Sequence, residues 1–405
     1  MIMFSEKQKE FVKNANKKLN IAVGSIRTGK TVIAAIAFIL HVLKFKEQQN
    51  FVIVGKTRDT ARRNVVDVIQ KYFGESSINY TVARDEIKLF GHKIYVLGAN
   101  DEKAETRFRG MTLAGGMLDE VTTYPRSVFE QILARTSIEG AKIYATTNPD
   151  SPYHWLYTDY IQKAEEKGYY VMKFYLEDNP FLPTEYIEFI KNTYTGLFYK
   201  RFILGEWVAA DGIIYDMFDE SVHVTQQIPN IFDKYIVGID FGMGNPTVFL
   251  LIGVRNNIKY VIKEYYHEGR EEGKKTIEKY SKDLKQFLGD VKPHKIYIDP
   301  SAQALIHQLK CDGFFNVKVA NNEVLDGIAT VGSMLGQNQL FINSCCKNII
   351  REFYSYAWDK KAQEKGEDKP LKVADHALDA LRYALHSEYP FAIKRKGVIS
   401  KPQGW

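Results

Sequence analysis

The stretch Leu19-Asn20-Ile21-Ala22-Val23-Gly24-Ser25-Ile26-Arg27-Thr28-Gly29-Lys30-Thr31 decides the fold of the first half of the chain. Its first six residues are mostly apolar and predict a strand over 19–24, and the apolar run that follows predicts a helix over 30–45. Between them, Gly24 to Thr31 carries the spacing GxxxxGK[ST], in the strand–loop–helix setting that such a loop requires. The glycines let backbone N–H groups curl around phosphates, and the helix N-terminus adds its positive end. This assigns Gly24, Ser25, Arg27, Thr28, Gly29, Lys30 and Thr31 to a bound nucleotide, expected to be ATP with Mg²⁺. Lys30 would neutralise the β and γ phosphates and Thr31 would hold the metal. A chance glycine-rich turn would not require the strand, the helix and the Lys-Thr pair all together. Upstream, Phe4 and Gln8 place an aromatic ring and an amide where they would bracket adenine.

Working outward, a strand is predicted over 51–57, a helix over 59–73, a hairpin over 80–99 turning at Gly91-His92, and strands over 116–121 and 142–147. Their apolar runs are continuous rather than alternating, which indicates a mainly parallel sheet covered on both faces. Gly115-Gly116-Met117-Leu118-Asp119-Glu120 is an apolar strand ending in two carboxylates. Asp119 would support the Mg²⁺ shell and Glu120 would orient or activate the attacking water. Thr146, Thr147 and Asn148 close the next strand, where they would sense the γ-phosphate or simply form a turn. Arg27, Arg58, Arg107 and Arg109 are candidates for the arginine that phosphoryl transfer usually requires, and position in the sequence does not choose among them.

The second half starts afresh with a strand over 235–240, a hairpin (247–255 and 258–266) around Asn256-Asn257, a helix over 272–288, a strand over 295–299, a helix over 301–310 and a last helix near 375–386. Asp240 and Asp299 end strands; Asp375, His376 and Asp379 share one helical turn. Each acid alone is plausible as a cap or salt-bridge partner. Converging, Asp240, Asp299, Asp379 and Asp375 would bind one or two divalent cations, and oxygen donors without cysteine favour Mg²⁺ or Mn²⁺. His376 is open between ligand, general acid and packing residue. This order of strands, hairpin and helices, with acids at these places, resembles the RNase H-like nucleases.

Composition is that of an ordinary globular protein: 405 residues, 45% hydrophobic and 26% charged, enough for two domains. The boundaries expected are an ATPase domain over 1–208, a linker over 209–232, a nuclease domain over 233–390 and a flexible basic tail over 391–405. The net charge of +6 is a mild basic bias, compatible with a nucleic-acid partner without requiring one. Cys311, Cys345 and Cys346 form neither a disulfide framework nor a zinc pair. The first nine residues lack an apolar signal core, and the longest apolar run, over 32–43, is too short to span a bilayer. No membrane association is expected.

Taken together, GSIRTGKT, GGMLDE, ATTNP, the GEW segment, GIDFG, YIDPSA and DHALDALRYA, in that order, resemble the large terminase subunit of tailed bacteriophages over nearly the whole chain. The resemblance implies an N-terminal P-loop (RecA/ASCE-like) ATPase joined to a C-terminal RNase H-like nuclease, which pumps double-stranded DNA into a procapsid and cuts concatemers. It also implies a ring, usually of five subunits, on a portal protein, a small terminase subunit that selects DNA, a monomer in isolation, and action in the host cytoplasm. Residue by residue, Lys30 and Thr31 match the phosphate and metal contacts, Asp119 and Glu120 the metal and water positions, Thr146 to Asn148 the coupling motif, and Asp240, Asp299 and Asp379, with His376 alongside, the nuclease acids. Arg109 matches the place from which some members supply a finger to a neighbouring subunit. The competing readings are a helicase-like translocase with an accessory nuclease, which lacks its expected second RecA lobe here, and a non-cutting ATP-dependent DNA-binding protein, which leaves the three acids unexplained.

Overall fold

The structure, a computed structural model, describes residues 4–74, 79–81, 85–242, 245–268 and 273–390. The expected tail over 391–405 and the predicted helix start at Glu272 lie outside these residues. The chain forms two compact units. One comprises the residues up to 191 with 197–210 and 361–367; the other comprises 192–196, 211–360 and the residues from 368 onward.

The first unit is built on an eight-stranded sheet. Its strands are β1 (Leu19–Gly24), β2 (Asn50–Gly55), β3 (Asn79–Thr81), β4 (Glu86–Leu89), β5 (His92–Gly98), β6 (Gly115–Leu118), β7 (Lys142–Thr147) and β8 (Tyr170–Phe174), in the order β3-β4-β5-β2-β6-β7-β1-β8. All neighbours are parallel except the β3/β4 and β4/β5 pairs. Every residue of β1 and β6 is buried, because helices cover both faces. Phe11, Ile33 and Phe38 pack on one face, and Phe108, Phe129 and Leu156 on the other. The β4/β5 hairpin turns at Phe90-Gly91 (φ 49° and 83°), one residue before the expected place, with Leu89 paired to His92. A two-residue turn with both central residues at positive φ suits Gly91 at its second position and leaves His92 to the strand. The helical region over 58–73 is interrupted by a π-helical segment, Arg62–Val66.

The second unit carries a seven-stranded sheet made of β9 (Val224–Thr225), β10 (Lys234–Asp240), β11 (Thr247–Arg255), β12 (Ile258–His267), β13 (Lys295–Ile298), β14 (Val317–Val319) and β15 (Leu340–Asn343). Their order is β14-β13-β10-β11-β12-β15-β9. β10, β11 and β12 are antiparallel, while β13, β14, β15 and β9 add in parallel. Asn256 and Asn257 turn the β11/β12 hairpin with φ 50° and 63°, the conformation a two-residue turn demands. Residues 211–232, expected within a linker, join this unit, contributing the short helix Glu220–His223 and β9. β9 has too little apolar pattern to be read as a strand and exists only by pairing with β15. β8, β15 and the buried helix Val324–Gly336 were likewise not expected from the sequence. No helix among the described residues is long and apolar enough to cross a membrane.

Candidate functional site

The loop between β1 and the helix Lys30–Val42 is held from outside. Gly24 has φ +138°, and a Cβ there would lie 1.9 Å from the Phe174 carbonyl oxygen of neighbouring β8. Ser25 N–H donates to that oxygen (2.9 Å), Ser25 Oγ donates to Ile203 O (2.6 Å) and Ile26 N–H donates to Phe202 O (2.9 Å). Arg27 is left-handed (φ 60°), and its carbonyl accepts from Asn179 Nδ2 at 2.6 Å. Gly29 is the helix N-cap and supplies no side chain, so the first-turn N–H groups remain available to an anion. Gln8 uses its amide on the protein itself: Nε2 donates to Thr28 O (3.1 Å) and Oε1 accepts from Ser5 N–H (3.1 Å). Gln8 therefore supports the loop, while Phe4 stacks against Tyr72 at 6.3 Å.

Asp119 gathers the site. Its Oδ1 accepts from Thr31 Oγ1 (2.9 Å) and Thr146 Oγ1 (2.7 Å), and its Oδ2 accepts from Asn64 Nδ2 (2.9 Å). Tyr124 Oη sits between the carbonyls of Val54 and Asp119 at 2.7 and 2.8 Å. Lys30 Nζ faces Gly24 O (3.1 Å), Ser25 O, Thr28 Oγ1 (3.4 Å) and Asn148 Oδ1 (3.1 Å). Burial drives the Lys30 pKa down to about 7 against the pull of Asp119 and Glu120. A phosphate would restore the lost charge stabilisation. Glu120 occupies the left-handed region (φ 61°, ψ 51°), and its N–H donates to Thr146 Oγ1 at 3.3 Å. Asn64, on the π-helical segment, was missed by sequence reasoning, since nothing local marks a π-turn.

The candidate arginines are dispersed. Arg58 pairs with Asp85 (2.7 Å), Arg107 donates to Gly98 O (3.1 Å), and Arg109 lies on an exposed turn against Glu105 (3.2 Å). In the same unit Arg201, also unexpected, pairs with Asp150 (2.9 Å) just past the Asn148 turn.

In the second unit the helix His376–Glu388 crosses β10 where Gly238 lets the backbones meet. A Cβ on Gly238 would lie 2.0 Å from Ala380 O. That contact brings the helix's first turn beside Asp240, at the end of β10. Asp240, Asp299, Asp375, His376, Asp379, Lys372 and Tyr383 line one cavity of about 300 Å³. His376 Nδ1 donates to Asp240 Oδ2 (2.8 Å), and Tyr383 Oη donates to Asp299 Oδ2 (2.7 Å). Burial lifts the Asp240 pKa, partly offset by His376. Burial opposes the charged form of His376 too, but the Asp240 carboxylate outweighs it and the pKa is raised. Asp299 is lowered: burial acts against it, yet the Ser301 N–H (2.6 Å) and Tyr383 hold the carboxylate. Glu352, fully buried, accepts from the N–H groups of Ala377 (2.7 Å) and Leu378 (3.0 Å) and so caps the helix that carries the acids. Burial pushes its pKa up to about 7.

The four aspartates supply the hard oxygen donors that Mg²⁺ or Mn²⁺ prefers. In the structure as it stands these acids are not drawn into a closed metal-binding group: among the described residues, no three His, Cys, Asp or Glu side chains are. The reason is local, because each acid already faces a cation or donor of the chain itself: His376 for Asp240, Tyr383 and Ser301 for Asp299, Lys372 for Asp375, and Lys372 with Arg382 for Asp379.

The fold and these two groups of side chains define a phosphate-loop α/β unit and an acid-lined RNase H-like unit on one chain. Residues 21–222 match the family model of the terminase large subunit, T4likevirus-type, N-terminal. The chain is 38% identical to the large terminase of the thermophilic bacteriophage D6E, covering 95% of this chain and 99% of that one, with a TM-score of 0.89. The D6E protein solved with ADP and with ATP-γ-S gives TM-scores of 0.88 and 0.87 at the same identity and coverage. Comparison with curated protein sequences finds no match. The chain belongs to the large terminase subunit family.

Proposed function

We propose that this protein hydrolyses ATP to move double-stranded DNA into a viral procapsid and cuts concatemeric DNA at its second site. The observation that carries the reading is the likeness to the D6E large terminase across 95% of the chain, which spans the phosphate loop and the acid cluster alike. The ADP and ATP-γ-S complexes of that relative support a nucleotide at the loop.

In the motor unit, Lys30 and the first-turn N–H groups bind the phosphates, and Thr31 and Asp119, with their oxygens already 2.9 Å apart, would hold Mg²⁺. Glu120 orients the attacking water. Asn148, in contact with Lys30, and Thr146, in contact with Asp119, report the state of the phosphates to β7. Arg109, exposed on its turn, completes the site of a neighbouring subunit. In the second unit, Asp240, Asp299 and Asp379, with Asp375, would hold Mg²⁺ or Mn²⁺. Two such ions supply water activation and leaving-oxygen stabilisation for phosphodiester hydrolysis, while His376 orients Asp240. The proposed partners are the portal protein, the small terminase subunit and four further copies in a ring, assembled in the host cytoplasm from a monomer.

Plasmid cleavage tests the reading, with Mg²⁺ or Mn²⁺ and with wild type, Asp240→Ala and Lys30→Ala. Cutting lost in Asp240→Ala and kept in Lys30→Ala supports two separable sites. Normal cutting by Asp240→Ala overturns the nuclease assignment.

A further inference from the structure

Asp379 has a cation on each oxygen. Arg382 takes Oδ1, with Nη2 at 3.0 Å and Nε at 3.3 Å, and Lys372 takes Oδ2 at 3.1 Å. The same Lys372 Nζ lies 3.1 Å from Asp375 Oδ2, as a charge contact rather than an aligned hydrogen bond. The two cations differ in kind. Arg382 is 2% exposed and packed under the helix Val324–Gly336 against Gly327. The Lys372 side chain is 64% exposed and sits between Leu371 and Val373, themselves exposed. Arg382 is part of the core, whereas Lys372 is a point charge on a flexible stem.

The charges show what Lys372 does. Asp240, Asp299, Asp375 and Asp379 bring four carboxyl groups to one cavity. His376 faces Asp240 and Tyr383 faces Asp299, so without Lys372 the pair Asp375 and Asp379 would be left with Arg382. That is costly for two carboxylates in a buried place. Lys372 supplies that pair with a second positive charge and engages carboxylate oxygens that a divalent ion would need. It also has somewhere to go, because it lines both the acid cavity and an adjoining cavity of about 400 Å³ bordered by Arg351, Tyr266 and Asn245.

We propose that Lys372 is a resident counter-ion that competes with the metal for Asp375 and Asp379, and that a DNA phosphate draws its ammonium away, so that metal and DNA load together. The inference rests on the nuclease reading above and adds to it a reason why the acids stay closed without DNA. A backbone phosphate is the anion suited to the exchange, because a lysine binds it as a point charge.

The test is Mn²⁺ binding to the full chain, followed by the electron paramagnetic resonance of the free ion, with and without a short duplex. Wild type, Lys372→Gln, Lys372→Arg and Asp240→Ala are compared. The expected result is that Lys372→Gln binds Mn²⁺ about tenfold more tightly than wild type without DNA and gains little when DNA is added. Wild type and Lys372→Arg should bind weakly alone and tighten with DNA. Equal affinity of Lys372→Gln and wild type, with binding lost in Asp240→Ala, overturns the role of Lys372 and leaves the nuclease reading standing. Wild type that binds no better than Asp240→Ala even with the duplex present overturns both.

Discussion

Lys30 Nζ lies 3.1 Å from Asn148 Oδ1, so the cation of the phosphate loop is tethered to the end of β7, the strand beside β1. Without Asn148, the acceptors left to Lys30 among the described residues belong to the loop, namely Gly24 O, Ser25 O and Thr28 Oγ1. Asn148→Ala is expected to lower kcat for ATP hydrolysis by about 10- to 100-fold with a smaller change in KM. Steady-state ATPase assays check this, and an unchanged kcat would show the contact to be packing alone.

The depressed pKa of Lys30 makes nucleotide binding a proton-linked event. With its pKa at about 7, the buried amine is mostly neutral in the free protein at pH 8 and charged at pH 6. Bound phosphates favour the charged form, so ATP should bring close to one proton with it at pH 8 and none at pH 6. Calorimetric titration in two buffers of different ionisation enthalpy measures that number directly.

Asp119 and Glu120 are adjacent and should fail differently. Glu120→Gln is expected to bind ATP and to hydrolyse it about 10²- to 10⁴-fold more slowly. Asp119→Ala removes the acceptor shared by Thr31, Thr146 and Asn64, so it should also lose stability, at about 1–3 kcal/mol for each buried group left unpaired. Thermal melts alongside ATPase assays separate the two outcomes.

Gly238 touches none of the acids, yet the acid cluster depends on it. A methyl group there meets Ala380 O at 2.0 Å and must push the helix His376–Glu388 off β10. Gly238→Ala should cost about 1–3 kcal/mol and abolish metal-dependent cleavage, with ATPase activity retained. Full cleavage by this variant would refute the account of how Asp379 reaches Asp240.

Among the described residues, the Arg109 side chain pairs with Glu105 on an exposed turn. If it serves a neighbour, mixtures of Arg109→Ala and Lys30→Ala subunits should hydrolyse ATP faster than either variant alone, because some pairs join an intact loop to an intact arginine. Strictly additive rates across mixing ratios would remove Arg109 from the motor site.

What the sequence determined by itself is local. Strand β1, the glycine spacing and the Lys-Thr pair follow from neighbouring residues, as does the Asn256-Asn257 turn, because backbone conformation and burial period are short-range properties. Asp119, Asp240 and Asp299 were legible for the same reason, since a carboxylate ending an apolar strand stands out. Only the tertiary structure decided which groups meet those acids. Asn64 reaches Asp119 through a π-turn, Glu352 caps the helix His376–Glu388 across a gap of more than twenty residues, and His376 meets Asp240 because Gly238 lets that helix lie against β10. Such pairings depend on how elements pack, and packing is set by the shapes of surfaces far apart in sequence, which no local pattern records.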